Sequence, residues 1–255
     1  MGVTDSSFWS SGIPRTGDPA GGSQVASQSI AFASGIPFVM PASGTINNTT
    51  GSVTVGTAFD YVIGPSYTYF PANALFASSP AGWYYTNWTA ATIGTIYADV
   101  YLNGVPKIPA SPTPLTTVAG AYTQVTGFDA IGPNYVVPGG FLGANGFIEW
   151  NRFANNNNSA GTKIYNSYFA GTFFQGVTQT TNPKEAGQGT LKNRGRQTAQ
   201  IGSNASHGDS NNVSAFMKPS IDTTQNQIFG MSAQLAAATD YAIIESHFVR
   251  INKVL

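Results

Sequence analysis

Asp240-Tyr241-Ala242-Ile243-Ile244-Glu245-Ser246-His247-Phe248-Val249-Arg250-Ile251-Asn252 is a long run rich in β-branched residues, in which Tyr241 and Ile243, and later Val249 and Ile251, share one parity. A period of two marks a strand with a buried face. The preceding stretch, 231–238, has the Ala and Leu content of a helix. Beside Thr239-Asp240 and so long a strand, it reads as a strand followed by a turn. Working back, the same grammar covers 147–153, a turn tract at 155–161, then 163–172, with further strands expected near 173–180, 188–194, 212–218 and 226–235.

The first half repeats the pattern. Runs at 36–40, 51–55, 58–63, 67–70, 82–89 and 95–101 recur between Gly, Pro and Asn breakers. Strand-like runs about 8–12 residues apart indicate a sandwich or barrel. Residues 71–76 amount to one helical turn at most. Between the halves, 104–117 carry Pro106, Pro109, Pro112 and Pro114, which leave few donors for a ladder and favour an extended path. The expected organisation is all-β: an extended arm over 1–24, a β-sandwich-like domain over 25–103, a proline-rich linker over 104–117 and a second β domain over 118–255.

Composition supports an all-β chain. Only 9% of the 255 residues are charged, while Gly reaches 29, Thr 27, Ser 23 and Asn 20. Exposed helix faces need Glu, Lys and Arg; strands with Thr, Ser and Asn outward do not. With zero Cys, thiol nucleophiles, zinc-thiolate sites and disulfide frameworks are excluded. Net charge is zero, which argues against nucleic acid as a partner. No run of 18 apolar residues is present, so no membrane insertion is expected, and the first residues lack the basic and apolar regions of a signal peptide.

Candidate sites are few. The arm holds Phe8, Trp9 and Arg15 in a hydrophilic, Gly-rich leader, and large apolar side chains there suit docking on a partner protein. Trp83, Tyr84, Tyr85 and Trp88, with Tyr97, form the densest aromatic group: ring faces for stacking on sugar or for an interface, or a sandwich core. The excess positive charge lies in the second half, at +3 for 141–255 against −3 for 1–140. It gathers around Lys184, Lys192, Arg194 and Arg196, a surface for an anionic glycan or a neighbouring acidic protein. The loops 155–161 and 203–212 are polar enough to contact a glycan.

Catalytic and cofactor chemistry finds little footing. His207 with Asp209 is too small a ligand set for a metal. Gly187-Gln188-Gly189 lacks the lysine and hydroxyl of a phosphate loop. His247 shares a face with Glu245 and reads as a packed or hydrogen-bonded histidine. A serine triad has no Gly-x-Ser-x-Gly elbow behind it. A glycan depolymerase would need two carboxylates about 5–10 Å apart, drawn from Asp129, Glu149, Glu185, Asp209 and Asp222. No enzyme, cofactor or metal site is therefore expected.

Several stretches resemble tailed-bacteriophage virion proteins: Gly35-Ile36-Pro37-Phe38-Val39-Met40-Pro41-Ala42-Ser43-Gly44, Tyr69-Phe70-Pro71-Ala72-Asn73-Ala74, Ala81-Gly82-Trp83-Tyr84-Tyr85, Val137-Pro138-Gly139-Gly140, Leu142-Gly143-Ala144-Asn145-Gly146 and Phe169-Ala170-Gly171-Thr172. They are similar to a group of structural proteins with a C-terminal jelly roll, found on tail fibres, as head fibres or as capsid decoration. The likeness spans roughly 28–252 and rests on strand edges and turns. It implies a homotrimeric virion component, docked by its N-terminal arm and contacting the host surface, with capsid decoration as the second role. It implies no catalytic residues.

Overall fold

The computed structural model describes residues 28–47, 49–102, 111–117, 120–123, 129–203 and 216–254. The expected arm with Phe8, Trp9 and Arg15, the first half of the proline-rich stretch (104–110), and 204–215 with His207 and Asp209 lie outside the described residues. Among the described residues there is no helix, and the strands fall into one thirteen-stranded mixed sheet and one five-stranded antiparallel sheet. The chain is all-β, and the arrangement is that of a β-sandwich.

The run that opened the sequence reading forms β18 (Tyr241–Lys253), to which the rest is attached. One edge pairs antiparallel with β11 (Phe147–Asn156), from Phe147↔Asn252 to Asn156↔Ala242. The other edge takes β1 (Gln28–Ser34), from Gln28↔Lys253 to Ser34↔His247, and then β2 (Phe38–Pro41), from Phe38↔Ile244 to Pro41↔Tyr241. The break between β1 and β2 falls at Gly35-Ile36-Pro37, where Pro37 has no N–H to give to a ladder. Beyond β11 lie β14 (Lys184–Asn193), β15 (Gln200–Ser203) and β16 (Phe216–Met217).

The smaller sheet runs β10 (Tyr135–Val137), β17 (Gln227–Leu235), β12 (Lys163–Phe169), β13 (Thr172–Gln179), with β9 (Asp129–Ala130) also on β17. Its inward residues Tyr165, Phe169, Phe229, Met231 and Leu235 belong to the same core as Ile148, Trp150, Val249 and Ile251 of the larger sheet. Trp150 and Phe229 meet across the two layers with ring centroids 5.3 Å apart.

In the other direction, β2 hands the larger sheet on to β5 (Gly64–Phe70), through a short parallel pairing. It continues through β6 (Gly82–Ala90), β7 (Ile93–Leu102), β4 (Ser52–Val55), β3 (Ser43–Ile46) and β8 (Gly120–Thr123). Only Ala42 separates β2 from β3. The path β2-β5-β6-β7-β4-β3 therefore returns to where it left and encloses a second core: Val39, Val53, Phe59, Phe70, Trp88, Ile96, Tyr122, Tyr241 and Ile243 among others.

The expected division into consecutive domains is not how the sheet is wired. Residues 28–41 lie against 241–253, and the curled unit is inserted between that first stretch and the smaller sheet. The physical reason is the length of β18: a thirteen-residue strand buried in a sheet must have both edges paired, and 28–41 supply what β11 does not. The described part of the proline-rich stretch also packs on the curl, with Ala98 N–H bonded to Thr113 C=O and Leu115 N–H to Ile96 C=O, both within 2.9 Å. The expected strand at 58–63 is instead a bend-rich loop. Its Phe59 plugs the second core, edge-on to Trp88 at 5.0 Å and to Tyr241 at 4.9 Å. Residues 71–76 are turns, not helix, while 231–238 are strand then turn, as read from the sequence.

Because Tyr241 and Ile243 face the second core while Ala242 and Ile244 face the first, the two cores should unfold together. Ile243→Ala should cost about 2–5 kcal/mol. Urea curves from variants retaining Trp88 alone or Trp150 alone should shift by the same amount. Separate midpoints would show that β18 does not couple the cores.

Candidate functional site

The aromatic group nominated from the sequence is core, not surface. β6 is buried on both faces, so its residues alternate between the two cores: Trp83 and Tyr85 face the first, Tyr84 and Trp88 the second. Trp83 stands edge-on to Phe38 at 5.7 Å, and Tyr85 meets Tyr67 at 5.7 Å. Their outer hydroxyl neighbours are internal too: Thr86 is bonded to Thr68 at 3.0 Å and to Ser66 at 3.3 Å, all three buried.

The basic residues are where a partner could reach them. Lys192 ends β14, and Arg194 and Arg196 lie on the turn to β15; all are exposed, as is Lys218 just after β16. A buried amide network holds that turn. Asn193 Nδ2 donates to Gly143 C=O at 2.7 Å and to Thr223 Oγ1 at 3.0 Å. Gln200 Nε2 donates to Asn193 Oδ1 at 2.9 Å, and its Oε1 accepts from Ile221 N–H at 2.8 Å. None of the ion pairs among the described residues involves these four cations. The turn is therefore a rigid mount for positive charge on a chain of zero net charge.

Sequence reasoning missed the buried charges. Arg152 and Glu185 form a two-pronged pair, Nε to Oε2 at 3.0 Å and Nη2 to Oε1 at 3.1 Å, with Nη1 donating to Ser167 Oγ at 3.0 Å. Lys163 sits 3.6 Å from Asp240 and donates to Ser159 Oγ at 2.6 Å and Thr180 C=O at 3.2 Å. The tract 155–161, read from the sequence as a turn polar enough to contact a glycan, is tied down. Asn155 and Asn156 finish β11, and Asn157 and Ser159 both donate to Asp240 Oδ1. The only signal available beforehand was parity: Arg152 and Glu185 fall on the inward positions of their strands.

Glu245 and His247 do not share a face. A bulge in β18 between its partners Phe153 and Ala154 breaks the alternation at Glu245. Glu245 turns toward Tyr61, and burial raises its carboxyl above the ordinary range. His247 turns inward, hydrogen-bonded through Nε2 to the Tyr135 hydroxyl, and burial lowers its pKa to about 4.

Of the carboxylates offered for glycan cleavage, the three whose side chains are described, Glu149, Glu185 and Asp222, lie apart, while Asp209 and the side chain of Asp129 fall outside the described residues. Glu185 is locked to Arg152 inside. Glu149 pairs with Arg250 on the outer face at 3.0 Å. Asp222 is fully exposed, its pKa lowered by hydrogen bonds from Thr224. Among the described residues, no three His, Cys, Asp or Glu side chains group as a metal site. Compared with known proteins, the chain matches no family model and no curated sequence.

Two predictions follow from these interior polar groups. The folded protein keeps His247 neutral down to about pH 4, whereas an ordinary histidine protonates near 6.5. The unfolded state therefore binds more protons in that window, and stability is lost as pH falls through it, by about 3 kcal/mol in all. Urea midpoints measured from about pH 7 to about pH 4 should drop less in His247→Gln than in wild type. Second, Arg152→Leu, which strands Glu185, should destabilise by about 3–5 kcal/mol. Adding Glu185→Leu should recover most of that loss in the same denaturation assay.

Proposed function

We propose that the chain is a non-enzymatic structural protein of a tailed-bacteriophage virion, made in the host cytoplasm and carried on the particle as a homotrimeric, fibre-like appendage on tail or head. The arm over 1–24 docks it through Phe8, Trp9 and Arg15, and the sandwich faces outward toward host-surface glycan. The observation that carries this is the strand order. Eight strands in two layers, β1-β18-β11-β14 opposite β10-β17-β12-β13, run in an order that supports reading the sandwich as a jelly roll, the two-Greek-key arrangement common in capsid proteins. Its first and second strands are separated by the curled insert. The sequence stretches similar to phage appendage proteins point the same way. So does the scarcity of surface charge, which leaves few ion pairs for salt to screen.

A second role, clamping neighbouring capsid subunits as a decoration protein, is favoured by the exposed cations Lys192, Arg194, Arg196 and Lys218 on their rigid turn, which suit an anionic neighbouring surface.

Deleting residues 1–24 should abolish incorporation into particles while leaving the sandwich folded, as checked by blotting purified virions and by circular dichroism of the free protein. Normal incorporation of the truncated chain would overturn the docking role. Copies per particle separate the two placements: a fibre is present in few copies, whereas decoration repeats with capsid symmetry.

A further inference from the structure

The outward face of the smaller sheet carries a depression of about 230 Å³ lined by Ala130, Tyr168, Gly171, Phe173 and Ser232. None of these side chains is charged. Ser232 is 2% exposed, and its Oγ has no hydrogen-bond partner. An unmet hydroxyl in an otherwise apolar hollow is costly to the folded protein on its own, and a ligand hydroxyl reaching in would satisfy it.

The wall is built in advance. Tyr168 is hydrogen-bonded through its hydroxyl to Asn134 Oδ1, and its ring lies across Gly230, where any Cβ would collide with it. Phe173, directly opposite Tyr168 in the β12–β13 ladder, stands edge-on to it at 6.2 Å and is 45% exposed. The hairpin between them turns through Ala170 and Gly171, both at positive φ, which keeps that end of the hollow free of bulk. A preorganised ring loses little entropy on binding.

We propose that this hollow is a saccharide subsite, taking one terminal, uncharged sugar ring. The C–H face of the sugar packs on Tyr168 and Phe173, and one of its hydroxyls bonds to Ser232 Oγ. The chemistry fits on three counts. The volume is below the about 300–1,000 Å³ of pockets for drug-sized ligands, which leaves room for one ring. A neutral lining offers nothing to a charged group. Aromatic faces beside a lone hydroxyl match a molecule with one apolar face and hydroxyl edges. The subsite deepens the host-contact part of the proposed function and rests on it only for the source of the sugar.

The test is saturation-transfer NMR on the full-length chain, with methyl glycosides of glucose, galactose, mannose and N-acetylglucosamine at millimolar concentration. A parallel arm uses a lipopolysaccharide-derived oligosaccharide, to separate a bacterial surface source from free sugar. At least one glycoside should show transfer. Ser232→Ala should weaken it about three- to tenfold while leaving the melting temperature unchanged or raised, because an orphan hydroxyl is removed. Phe173→Ala should weaken it as well, and Phe153→Ala, exposed on the other sheet, should not.

Transfer from none of the probes, or transfer unchanged in both Ser232→Ala and Phe173→Ala, overturns the subsite. So does loss of self-association in Phe173→Ala without sugar binding, which would make this face an intersubunit contact. Virion incorporation is measured separately, so a failed subsite and a failed virion role give different results.

Discussion

The first four residues of β18 have nowhere to be exposed. Their side chains point alternately into two cores, and their backbone is flanked by β2 on one edge and β11 on the other. That constraint explains the two features of the molecule that looked unrelated. It requires a second stretch of chain beside β18, which residues 28–41 provide from the opposite end of the sequence. It also makes Tyr241 and Ile243 part of the lining of the curled unit, so that the insert is fastened to the sandwich through shared side chains and a shared strand, not through a flexible tether.

A chain with so few charges uses several of them indoors. Arg152 and Lys163 are both fully buried, and each is surrounded by oxygen acceptors from more than one strand or loop. Such pairs contribute little net stability, because desolvation offsets most of the attraction. Their effect is on register: Arg152 on β11 meets Glu185 on β14 and Ser167 on β12, so one guanidinium ties the two layers together in a single alignment. Lys163 and Asp240 do the same for the turn entering β18. Among the described residues most of the remaining charges lie outside, in the cationic turn after β14, in the Glu149–Arg250 pair and at scattered positions such as Asp60, Lys184 and Asp222.

Much of the strand content was legible from residues alone. The strand at 240–252, the strand-then-turn at 231–238 and the runs at 67–70, 82–89 and 147–153 all appear where composition and breakers put them, although the bulge at Glu245 sends Tyr241 and Ile243 to one core and Val249 and Ile251 to the other. Residues 58–63 show the limit: the apolar Phe59 and Val62 are spaced to plug a core from a loop, and local pattern cannot tell a plug from a strand. The aromatic cluster shows another. Trp83, Tyr84, Tyr85 and Trp88 run consecutively enough to suggest a sticky surface, but a strand buried on both faces has the same composition. Domain order was the least accessible feature, since a strand's neighbour across the sheet leaves no mark on the strand itself. The hollow at Ser232 was invisible for the same reason: its five lining residues are scattered from 130 to 232 and meet only through the pairing of β9, β17, β12 and β13.

The pairing of Gln28 with Lys253 has a steric corollary. Where the polypeptide enters the sandwich and where it leaves are the same corner, side by side across a single rung. Cargo or a tag fused at the C-terminal end would start beside the point where the chain enters the sandwich. Passenger sequences meant to be displayed away from that corner belong at the opposite end of the strands, for example in the 180–183 turn between β13 and β14.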